Sequence, residues 1–303
     1  MKLPSTAAAP LSWDLLGAFL AVMRAGSLSG ASRSLGVAQP TVRRQIETLE
    51  EVLGGALFTR SQTGLTPTEM AVTTLPYAES MAGAAEALVR STSAPSDADR
   101  GTVRVTCSEV VGGAVLPPML VSLCRAHPQL QIELSLSNAN EDLLRRDADV
   151  AVRMAQPTQG ALVAKRVGAV KLGFFATEAY LADRGVPRSG GDLLRGHALL
   201  GRDRDTSFFP ALAAAGLSLK RKDFALRTDN DAAYLASLRA GIGIGVCQVP
   251  LAAGPPRLQR VLPKVSFELP VWVVTHENLR ASRRVSLVFE HLVDSLGAYV
   301  RSG

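Results

Sequence analysis

Polar side chains that can read nucleic-acid bases are concentrated between residues 39 and 48. They alternate with Val42, Ile46, Leu49 and Leu53, which recur at the spacing of one helix face. The side chains outside this apolar face are Gln39, Thr41, Arg43, Arg44, Gln45 and Thr48. Arginine can bind guanine through two hydrogen bonds, glutamine can do the same to adenine, and threonine can contact phosphate or a thymine methyl group. The pattern is typical of a helix that enters a DNA major groove.

An ordinary solvent-exposed helix is the alternative. Arg43 and Arg44 could form ion pairs with Glu47 and Glu51 at about four-residue spacing, and surface arginines are common. The residues of this helix alone leave both interpretations open, so the neighbouring elements bear on the choice.

Two helices are predicted before this one. The first begins after Ser12, a candidate N-cap, and ends at Gly26, while the second covers residues 29–35 and buries Ala31 and Leu35. Only about three residues then separate the second helix from the third. Such a short turn is typical of helix-turn-helix DNA readers.

The residues that follow predict a hairpin. Leu57, Phe58 and Leu65 mark its apolar ends, and Arg60 lies between them. A hairpin beside a recognition helix would be a wing. At the start of the third helix, Pro40 fits the first turn, where its missing N–H has no helical partner to lose.

A long helix is predicted after the hairpin. Thr66 is a candidate N-cap, with Pro67 in the first turn and Glu69 reaching back to complete a capping box. The helix is expected to reach about Arg90, with a kink or loosened turn at Pro76.

This helix has a narrow apolar surface that includes Leu75, Met81 and Leu88 and many alanines. The surface could pair with a second copy of the chain or pack on the chain's own first domain. Residues 91–101 are small, polar and contain Pro95, so they predict a hinge.

Predicted strands and helices alternate from residue 101 onwards. The strands are "VRVTC", "QIELSL", "ADVAV", "LGFFA", "HALLG", "DFALRT", "IGIGV" and "LPVWVVT", and the helices cover residues 113–126, 141–146, 177–183, 231–240 and 282–300. This order favours a largely parallel sheet that is covered by helices on both faces, in two α/β lobes.

Composition and charge narrow the class of protein. The chain has 303 residues, a formal net charge of +6 and 47% hydrophobic residues, as in ordinary folded soluble proteins. Residues 1–100 hold 8 Lys and Arg against 9 Asp and Glu, so a nucleic-acid surface there has to be a local patch. No apolar run approaches the roughly 20 residues that span a bilayer, and the start lacks a signal-peptide pattern. We therefore expect a cytoplasmic protein.

Motifs for catalysis or metal binding are weak. Cys107, Cys124 and Cys247 are far apart in sequence and match no metal or redox spacing. The stretch "GIGIG" lacks the spacing of a dinucleotide loop and predicts a glycine-rich strand, and His276 lacks the second histidine of a zinc-protease motif. No serine stands in a GxSxG motif. We expect no enzyme activity, no cofactor and no metal.

Residues 19–69 resemble the LysR-type transcriptional regulators. The pieces "GSLSGAS", "LGVAQPTV", "QIETLE", "LG..LF.R" and "LTPTE" follow one another at that family's spacing, which makes the match specific. Three positions depart from the family pattern. Arg43 and Ala38 stand where serine is common, and Ala71 stands where glycine is usual.

The resemblance implies an all-α winged helix-turn-helix followed by an α/β effector-binding domain with the fold of type 2 periplasmic binding proteins. The implied boundaries are 10–66 for the DNA-binding domain, 67–90 for a linker helix, 91–101 for a hinge and 102–300 for the effector-binding domain. Within the last, lobe one would comprise about 102–166 and 269–300, and lobe two about 167–268. Linker helices of this family pair, which implies a homodimer or homotetramer.

The DNA contacts that the resemblance implies come from the second and third helices and the wing. They are Ser29, Gln39, Pro40, Thr41, Arg43, Arg44, Gln45, Thr48 and Arg60. The implied partner is double-stranded promoter or operator DNA. Arg43 replaces a short hydroxyl with a long cation, so its contacts are expected to differ from those of relatives.

Effector contacts are expected in loops after the strands, where open α/β sheets bind ligands. Positions that match the family's cleft are Ser108, Glu109, Val110, Asn140, Arg153, Asn230, Asp231, Cys247 and Gln248. Ser108, Asn140 and Asn230 are also typical helix caps, and Arg153 could instead pair with Asp149 or Glu109. Few cations converge in these loops, so the effector need not be an anion.

These features predict a DNA-binding transcriptional regulator in which a small-molecule effector, bound between the lobes, alters promoter binding. The alternative is a cytoplasmic two-lobe small-molecule-binding protein or enzyme whose N-terminal domain does not bind DNA. That alternative accounts for residues 102–300 and leaves the N-terminal part unexplained.

Overall fold

Residues 11–61, 64–92, 98–138, 148–157 and 162–303 are described by the structure, a computed structural model. The chain divides into two units. The first ends at Leu88, within a long helix, and the second begins at Val89. Each unit has its own hydrophobic core.

Three helices form the core of the first unit: α1 (Trp13–Ala25), α2 (Leu28–Leu35) and α3 (Gln39–Leu53). Phe19, Ala31 and Leu49 are completely buried between them. The three helices end as glycine caps predict, because Gly26, Gly36 and Gly54 all adopt the left-handed conformation. One burial prediction was wrong: Leu35 is 40% exposed. Leu35 lies in the last turn of α2, a helix of eight residues in which Ala31 is the buried residue.

A hairpin follows α3, as predicted. Strand β1 (Phe58–Ser61) pairs antiparallel with β2 (Gly64–Pro67), and Arg60 lies opposite Leu65. The Leu65 N–H donates to the Gly26 carbonyl at 3.0 Å, so β2 is joined to the end of α1. Gly64 has a φ of +136°, and a Cβ there would lie 2.7 Å from the Gly26 oxygen. This close approach therefore requires glycine.

The long helix α4 (Glu69–Thr92) begins two residues later than predicted. The capping box at Thr66 was wrong, because Thr66 and Pro67 belong to β2 and their backbones pair with β1. Thr68 is the cap instead: its Oγ1 accepts the Ala71 N–H at 3.3 Å. Pro76 lies inside the helix, as predicted. The helix also includes residues 91 and 92 of the predicted hinge, and residues 93–97 lie outside the described part of the chain.

One seven-stranded sheet organises the second unit. Its strands are β3 (Gly101–Cys107), β4 (Leu130–Leu136), β5 (Val150–Arg153), β6 (Leu162–Thr177), β9 (Gly245–Gln248), β10 (Leu258–Val261) and β11 (Phe267–His276). The order is β4-β3-β5-β11-β6-β10, and β9 also pairs with β6.

The prediction of a largely parallel sheet was wrong. Only β3 pairs in parallel, with β4 and β5, whereas β11 and β6 run antiparallel to their neighbours. Strand β6 has 16 residues, of which the sequence predicts only "LGFFA", because the preceding "LVAKRVGAVK" contains polar residues and a glycine. The part of β6 that the sequence does not predict contains almost all of the residues that pair antiparallel with β11.

The two long strands pass through two apolar clusters. At one end Val170 and Val271 belong to a core that also contains the buried side of α11 (Arg283–Arg301). At the other end Phe174 packs in a second core, with Phe267 against it. We call the part built on β3, β4, β5 and α11 lobe one, and the part built on residues 178–261 lobe two. The register shift of β11 at Val271/Trp272 lies within the lobe-one part of the strand, because Val271 and Val273 are both buried in the lobe-one core.

The remaining elements cover the sheet. In lobe one a π-helical segment (Val111–Val115) leads into α5 (Leu116–Ala126), so the predicted helix starts earlier than residue 113. Lobe two contains α6 (Glu178–Arg184), α7 (Gly190–Gly196), α8 (Phe209–Ala214), α9 (Asp231–Arg239), α10 (Val249–Ala252) and the parallel pair β7 (Leu199–Gly201) and β8 (Phe224–Arg227).

Two further strand and helix predictions have different outcomes. The stretch "GIGIG" is strand only from Gly245, because Gly241 turns the chain with a φ of +79°. The predicted helix at 141–146 lies outside the described residues. Among the helices of the described ranges, none combines the length and the hydropathy needed to cross a membrane.

Candidate DNA-binding surface and effector site

The outer face of α3 carries most of the residues predicted to contact DNA. The side chains that are exposed there are Gln39, Pro40, Thr41, Arg43 and Arg44, and Ser29 on α2 and Arg60 on β1 are exposed as well. Val42, Ile46 and Leu49 hold the opposite face in the core. The sequence pattern therefore predicted correctly which side of α3 faces solvent.

No ion pair joins Arg43 or Arg44 to any other residue in the described part of the chain. The alternative in which Glu47 and Glu51 pair with these arginines is therefore not what the structure contains. Both guanidinium groups are exposed, and neither is held by a carboxylate among the described residues.

Gln45 and Thr48 lie at the edge of this surface. Both are half-buried, and the Oε1 atom of Gln45 is buried with no hydrogen-bond partner among the described residues. This oxygen does not reach the exposed face of α3. A base contact through it, which was predicted from the sequence, is less well supported than contacts through Arg43 or Arg44.

Glu50 is a residue that the sequence reasoning missed. Its Oε1 accepts the N–H of Leu57 at 2.7 Å and the N–H of Phe58 at 3.3 Å, so the end of α3 is joined to the start of the hairpin. The Phe58 ring packs against Phe19, with 5.9 Å between ring centroids. The helical spacing could have indicated this role. Glu50 stands four residues after the buried Ile46 and so lies towards the core, whereas Glu51 lies on the exposed side.

A cavity of about 160 Å³ opens at the ends of β3, β4 and β5 in the second unit. It brings together two of the predicted effector residues, Ser108 and Arg153, with Asn138 from the loop after β4, where a ligand contact is also expected, and it adds Ser137 and Met154. Asn140 lies outside the described residues. The carboxyl ends of neighbouring parallel strands meet at one edge, which is why these loops converge.

Arg153 is held in place by the protein. Its Nη1 donates to the Val152 carbonyl at 3.1 Å and its Nη2 to the hydroxyl of the buried Thr106 at 3.2 Å. The neighbouring Cys107 thiol is buried, and burial raises its pKa to about 11 despite the Arg153 charge. The thiol is therefore protonated at neutral pH and is not a nucleophile there.

A second group of predicted residues meets at the start of α9. Asn230 is the N-cap, with Oδ1 accepting the Ala233 N–H at 2.8 Å, so it has the capping role that the sequence left open. Asp231 is 4% exposed and forms an ion pair with Arg202. Glu109, from the other lobe, accepts the Asp231 N–H at 2.9 Å. Arg202 also lies over the Tyr234 ring, 5.6 Å from its centroid.

A backbone loop before α8 is fixed by Asp229. Its carboxylate accepts the N–H groups of Asp203 at 2.9 Å and Arg204 at 3.1 Å. Hydrogen bonds from backbone N–H groups, that of Arg204 first, keep the pKa of Asp229 below its usual range. The Asp229 carboxylate therefore holds a loop of lobe two in place. Asp229 does not line the cavity.

Cys247 and Gln248 make contacts inside the protein. Cys247 packs in an apolar cluster with Phe175 and Leu238, and its burial raises the pKa of the thiol to about 11. Gln248 Oε1 accepts the Tyr299 hydroxyl of α11 at 2.7 Å. Neither residue lines the cavity, and their role in effector binding stays a prediction.

A second, larger groove of about 490 Å³ lies between α5 and α11. Ser122, His127, Arg283 and His291 are among the residues that line it. The His127 ring is 3.2 Å from an Asp99 carboxylate oxygen, and His291 Nε2 is 2.8 Å from the Met119 carbonyl. Within the described ranges, no three His, Cys, Asp or Glu side chains are grouped so that they could hold a metal ion.

Comparison with known protein families covers both units. Residues 13–72 match the family model of bacterial regulatory helix-turn-helix proteins of the lysR family, and residues 96–297 match that of the LysR substrate binding domain. The chain belongs to the LysR family. It is accordingly a LysR-type transcriptional regulator, with a helix-turn-helix domain and an effector-binding domain.

Curated relatives of this LysR-type regulator are transcriptional regulators. It is 32% identical to the Mau operon transcriptional activator of Paracoccus denitrificans over 161 residues, which are 53% of this chain and 56% of that protein. It is 24% identical to the HTH-type transcriptional activator AaeR of Escherichia coli over 285 residues, which cover 92% of both chains.

Solved structures of LysR-type proteins have the same fold. CbnR, a LysR family transcriptional regulator, matches with a TM-score of 0.68 and 20% identity over 94% of this chain and 99% of that one. CrgA of Neisseria meningitidis matches with a TM-score of 0.59 and 23% identity over 95% of this chain and 100% of that one. At these identities the matches establish the fold alone.

Removal of the Glu50 carboxylate should loosen the hairpin. In Glu50→Ala the N–H groups of Leu57 and Phe58 lose their acceptor, and the first unit should lose about 1–3 kcal/mol of stability. Amide hydrogen exchange at these two positions should become faster. Glu51→Ala, a neighbouring exposed glutamate, is the control and should leave both amides unchanged. Equal exchange in the two variants would show that Glu50 does not hold the hairpin.

Proposed function

We propose that this regulator reads promoter or operator DNA with the exposed face of α3, and that it acts as a cytoplasmic regulator and not as an enzyme. The observation that carries this proposal is the pair of exposed arginines, Arg43 and Arg44, on a helix whose opposite face is locked in the core. The alternative of a two-lobe binding protein or enzyme with an inert N-terminal domain gives this surface no role.

The chemistry of α3 fits a major groove. Arg43 or Arg44 can bind the O6 and N7 atoms of guanine, and Gln39 can bind adenine. Thr41 near the helix start and Arg60 on the hairpin are suited to phosphates, which position the protein but carry no sequence information. A solved structure of CbnR in complex with its target DNA supports this use of the shared fold.

Self-association through α4 is part of the proposal. Tyr77, Met81 and Leu88 lie on one side of this helix and are exposed, whereas Val72 and Val89 are exposed on other sides of it. An exposed apolar strip of this kind marks an interaction surface. Pairing of two chains would place two copies of α3 on half-sites one helical turn, roughly 34 Å, or a multiple of that apart.

The cavity at the ends of β3, β4 and β5 is the proposed effector site. The two lobes are proposed to meet within β6 between Val170 and Phe174 and within β11 between Phe267 and Leu269, where the strands pass from one core to the other. Ser108, Asn138 and Arg153 offer hydrogen-bonding groups of both kinds around an apolar wall. The outer limits of the two domains stated from the sequence remain part of this proposal, with α4 (Glu69–Thr92) as the linker helix and the hinge after it. An effector that changes the angle between lobes or subunits would alter the spacing of the two DNA-binding domains.

Binding to the DNA upstream of the regulator's own gene should depend strongly on salt. In Arg43→Ala with Arg44→Ala, affinity should fall by about 1–3 kcal/mol for each lost guanine contact. The slope of log K against log salt should decrease by roughly 0.9 for each of the two guanidinium groups that also neutralises a phosphate. Fluorescence anisotropy at several salt concentrations measures both quantities. Arg184→Ala, an exposed helix arginine in the second unit, is the matched control. An unchanged slope and affinity in the double variant would refute the proposed surface.

Charges in the apolar strip of α4 should separate the subunits. Tyr77→Glu with Met81→Glu places two carboxylates where the apolar contact is proposed, and burying unpaired charges is costly. Sedimentation velocity should then report a smaller assembly than for the unchanged chain. Glu79→Lys, which changes charge on another side of the same helix, should keep the original assembly. A double variant that sediments like the unchanged chain would place the contact elsewhere.

A metabolite screen by thermal shift tests the cavity. A compound at about 100 times its Kd should stabilise the protein by roughly 2.7 kcal/mol. Ser108→Ala with Asn138→Ala should abolish the shift, because both side chains line the cavity. Ser122→Ala, in the groove between α5 and α11, should preserve it. The reverse result would move the effector site to that groove.

A further inference from the structure

The segment after β3 has two apolar faces. Val111 and Val115 pack in the core of lobe one, whereas Val110 and Ala114 pack against the lobe-two cluster that includes Cys247. Gly112 allows this arrangement, because a Cβ there would lie 2.8 Å from the Cys107 sulfur and still closer to Leu136. The segment therefore touches both lobes, directly beside the cavity.

Glu109, at the start of this segment, adds a polar contact between the lobes. Its carboxylate accepts the Asp231 N–H of α9 in lobe two at 2.9 Å. Its own N–H donates to Oδ1 of Asn138 in lobe one at 3.1 Å, and Asn138 lines the cavity. A carboxylate is favoured at a helix N-terminus, and hydrogen bonds to ionised groups are stronger than neutral ones.

The start of α9 does not depend on Glu109 for its own order. Asn230 caps the helix through the Ala233 N–H, and the Asp231 carboxylate is paired with Arg202. The contribution of Glu109 is therefore the connection between lobes, because the local structure of α9 is secured from within lobe two.

We propose that Glu109 is a positioning residue that holds the two lobes together through the hydrogen bond that its carboxylate accepts from the Asp231 N–H. The inference rests on the proposed effector domain, because Asn138, which accepts the Glu109 N–H, lines the proposed effector cavity.

The native cysteines report on this contact. Cys247 is 6% exposed in the cluster against which Val110 and Ala114 pack, Cys107 is completely buried in lobe one, and Cys124 is exposed on α5. Separation of the lobes uncovers the Cys247 side of the cluster, while Cys107 keeps its cover in the lobe-one core.

Alkylation of the full-length protein with N-ethylmaleimide, followed by mass spectrometry, gives the rate at each cysteine. In Glu109→Ala, Cys247 should react roughly tenfold faster, the change that corresponds to losing one hydrogen bond to a charged group. Cys107 should react at its original rate. Glu109→Gln, which keeps an acceptor oxygen but loses the charge, should give an intermediate rate at Cys247.

Ser189→Ala is the matched control, because it removes the N-cap of another lobe-two helix, α7, whose buried Leu193 lies outside the Cys247 cluster, and leaves Glu109 in place. Its Cys247 rate should stay near that of the unchanged chain. The proposal is overturned if Cys247 is unaffected in Glu109→Ala, if Ser189→Ala accelerates it equally, or if Cys107 accelerates with it in both Glu109 variants. Neither DNA nor an effector takes part, so failure here leaves the DNA-binding proposal standing.

Discussion

Strands β6 and β11 are shared by two cores of the second unit, and this continuity limits how far the two lobes can move relative to each other. Val170 and Val271 are buried in one core, and Phe174 and Phe267 pack in the other. Because the strands are hydrogen-bonded to each other along most of their length, the lobes cannot separate without bending them. The register shift at Val271/Trp272 lies beside Gly168, which has a φ of +139°, so the regular pairing of the two strands is interrupted at one place within lobe one.

The DNA-binding unit follows a simpler constraint. A helix that buries every third or fourth residue must expose the others, so the burial of Val42, Ile46 and Leu49 directs Arg43 and Arg44 outward. The hairpin is fixed to the same core by Glu50 at one end and by the Leu65–Gly26 hydrogen bond at the other. Helix α3 and the hairpin are therefore held in a fixed orientation relative to each other.

Features with a local physical cause could be predicted from the sequence. Helix ends at glycine, the exposed face of α3 and the hairpin all depend on neighbours within a few residues. Features set by distant parts of the chain could not. Strand β11, an antiparallel partner of β6, is more than ninety residues away from it, and Thr68 caps α4 in place of Thr66 because the Thr66 backbone pairs with β1.

The candidate effector residues divide in the same way. Ser108 and Arg153 follow strands, so the rule for open sheets placed them together at one edge. The partners of Gln248 and Glu109 come from elements far away in the sequence, Tyr299 and Asp231, and no periodicity signals such contacts. Sequence patterns locate loops well, but they do not show which side chains already form hydrogen bonds within the protein.

Because of the Tyr299–Gln248 hydrogen bond, α11 is joined to both lobes. The helix has 19 residues and is therefore about 28 Å long. Its buried side belongs to lobe one, while its last turn is attached to β9 of lobe two. Because Val285 near its start and Leu296 near its end are both buried in the lobe-one core, α11 moves as part of lobe one. A displacement of lobe one relative to β9 therefore has to break the hydrogen bond between Tyr299 and Gln248 or carry β9 along with it.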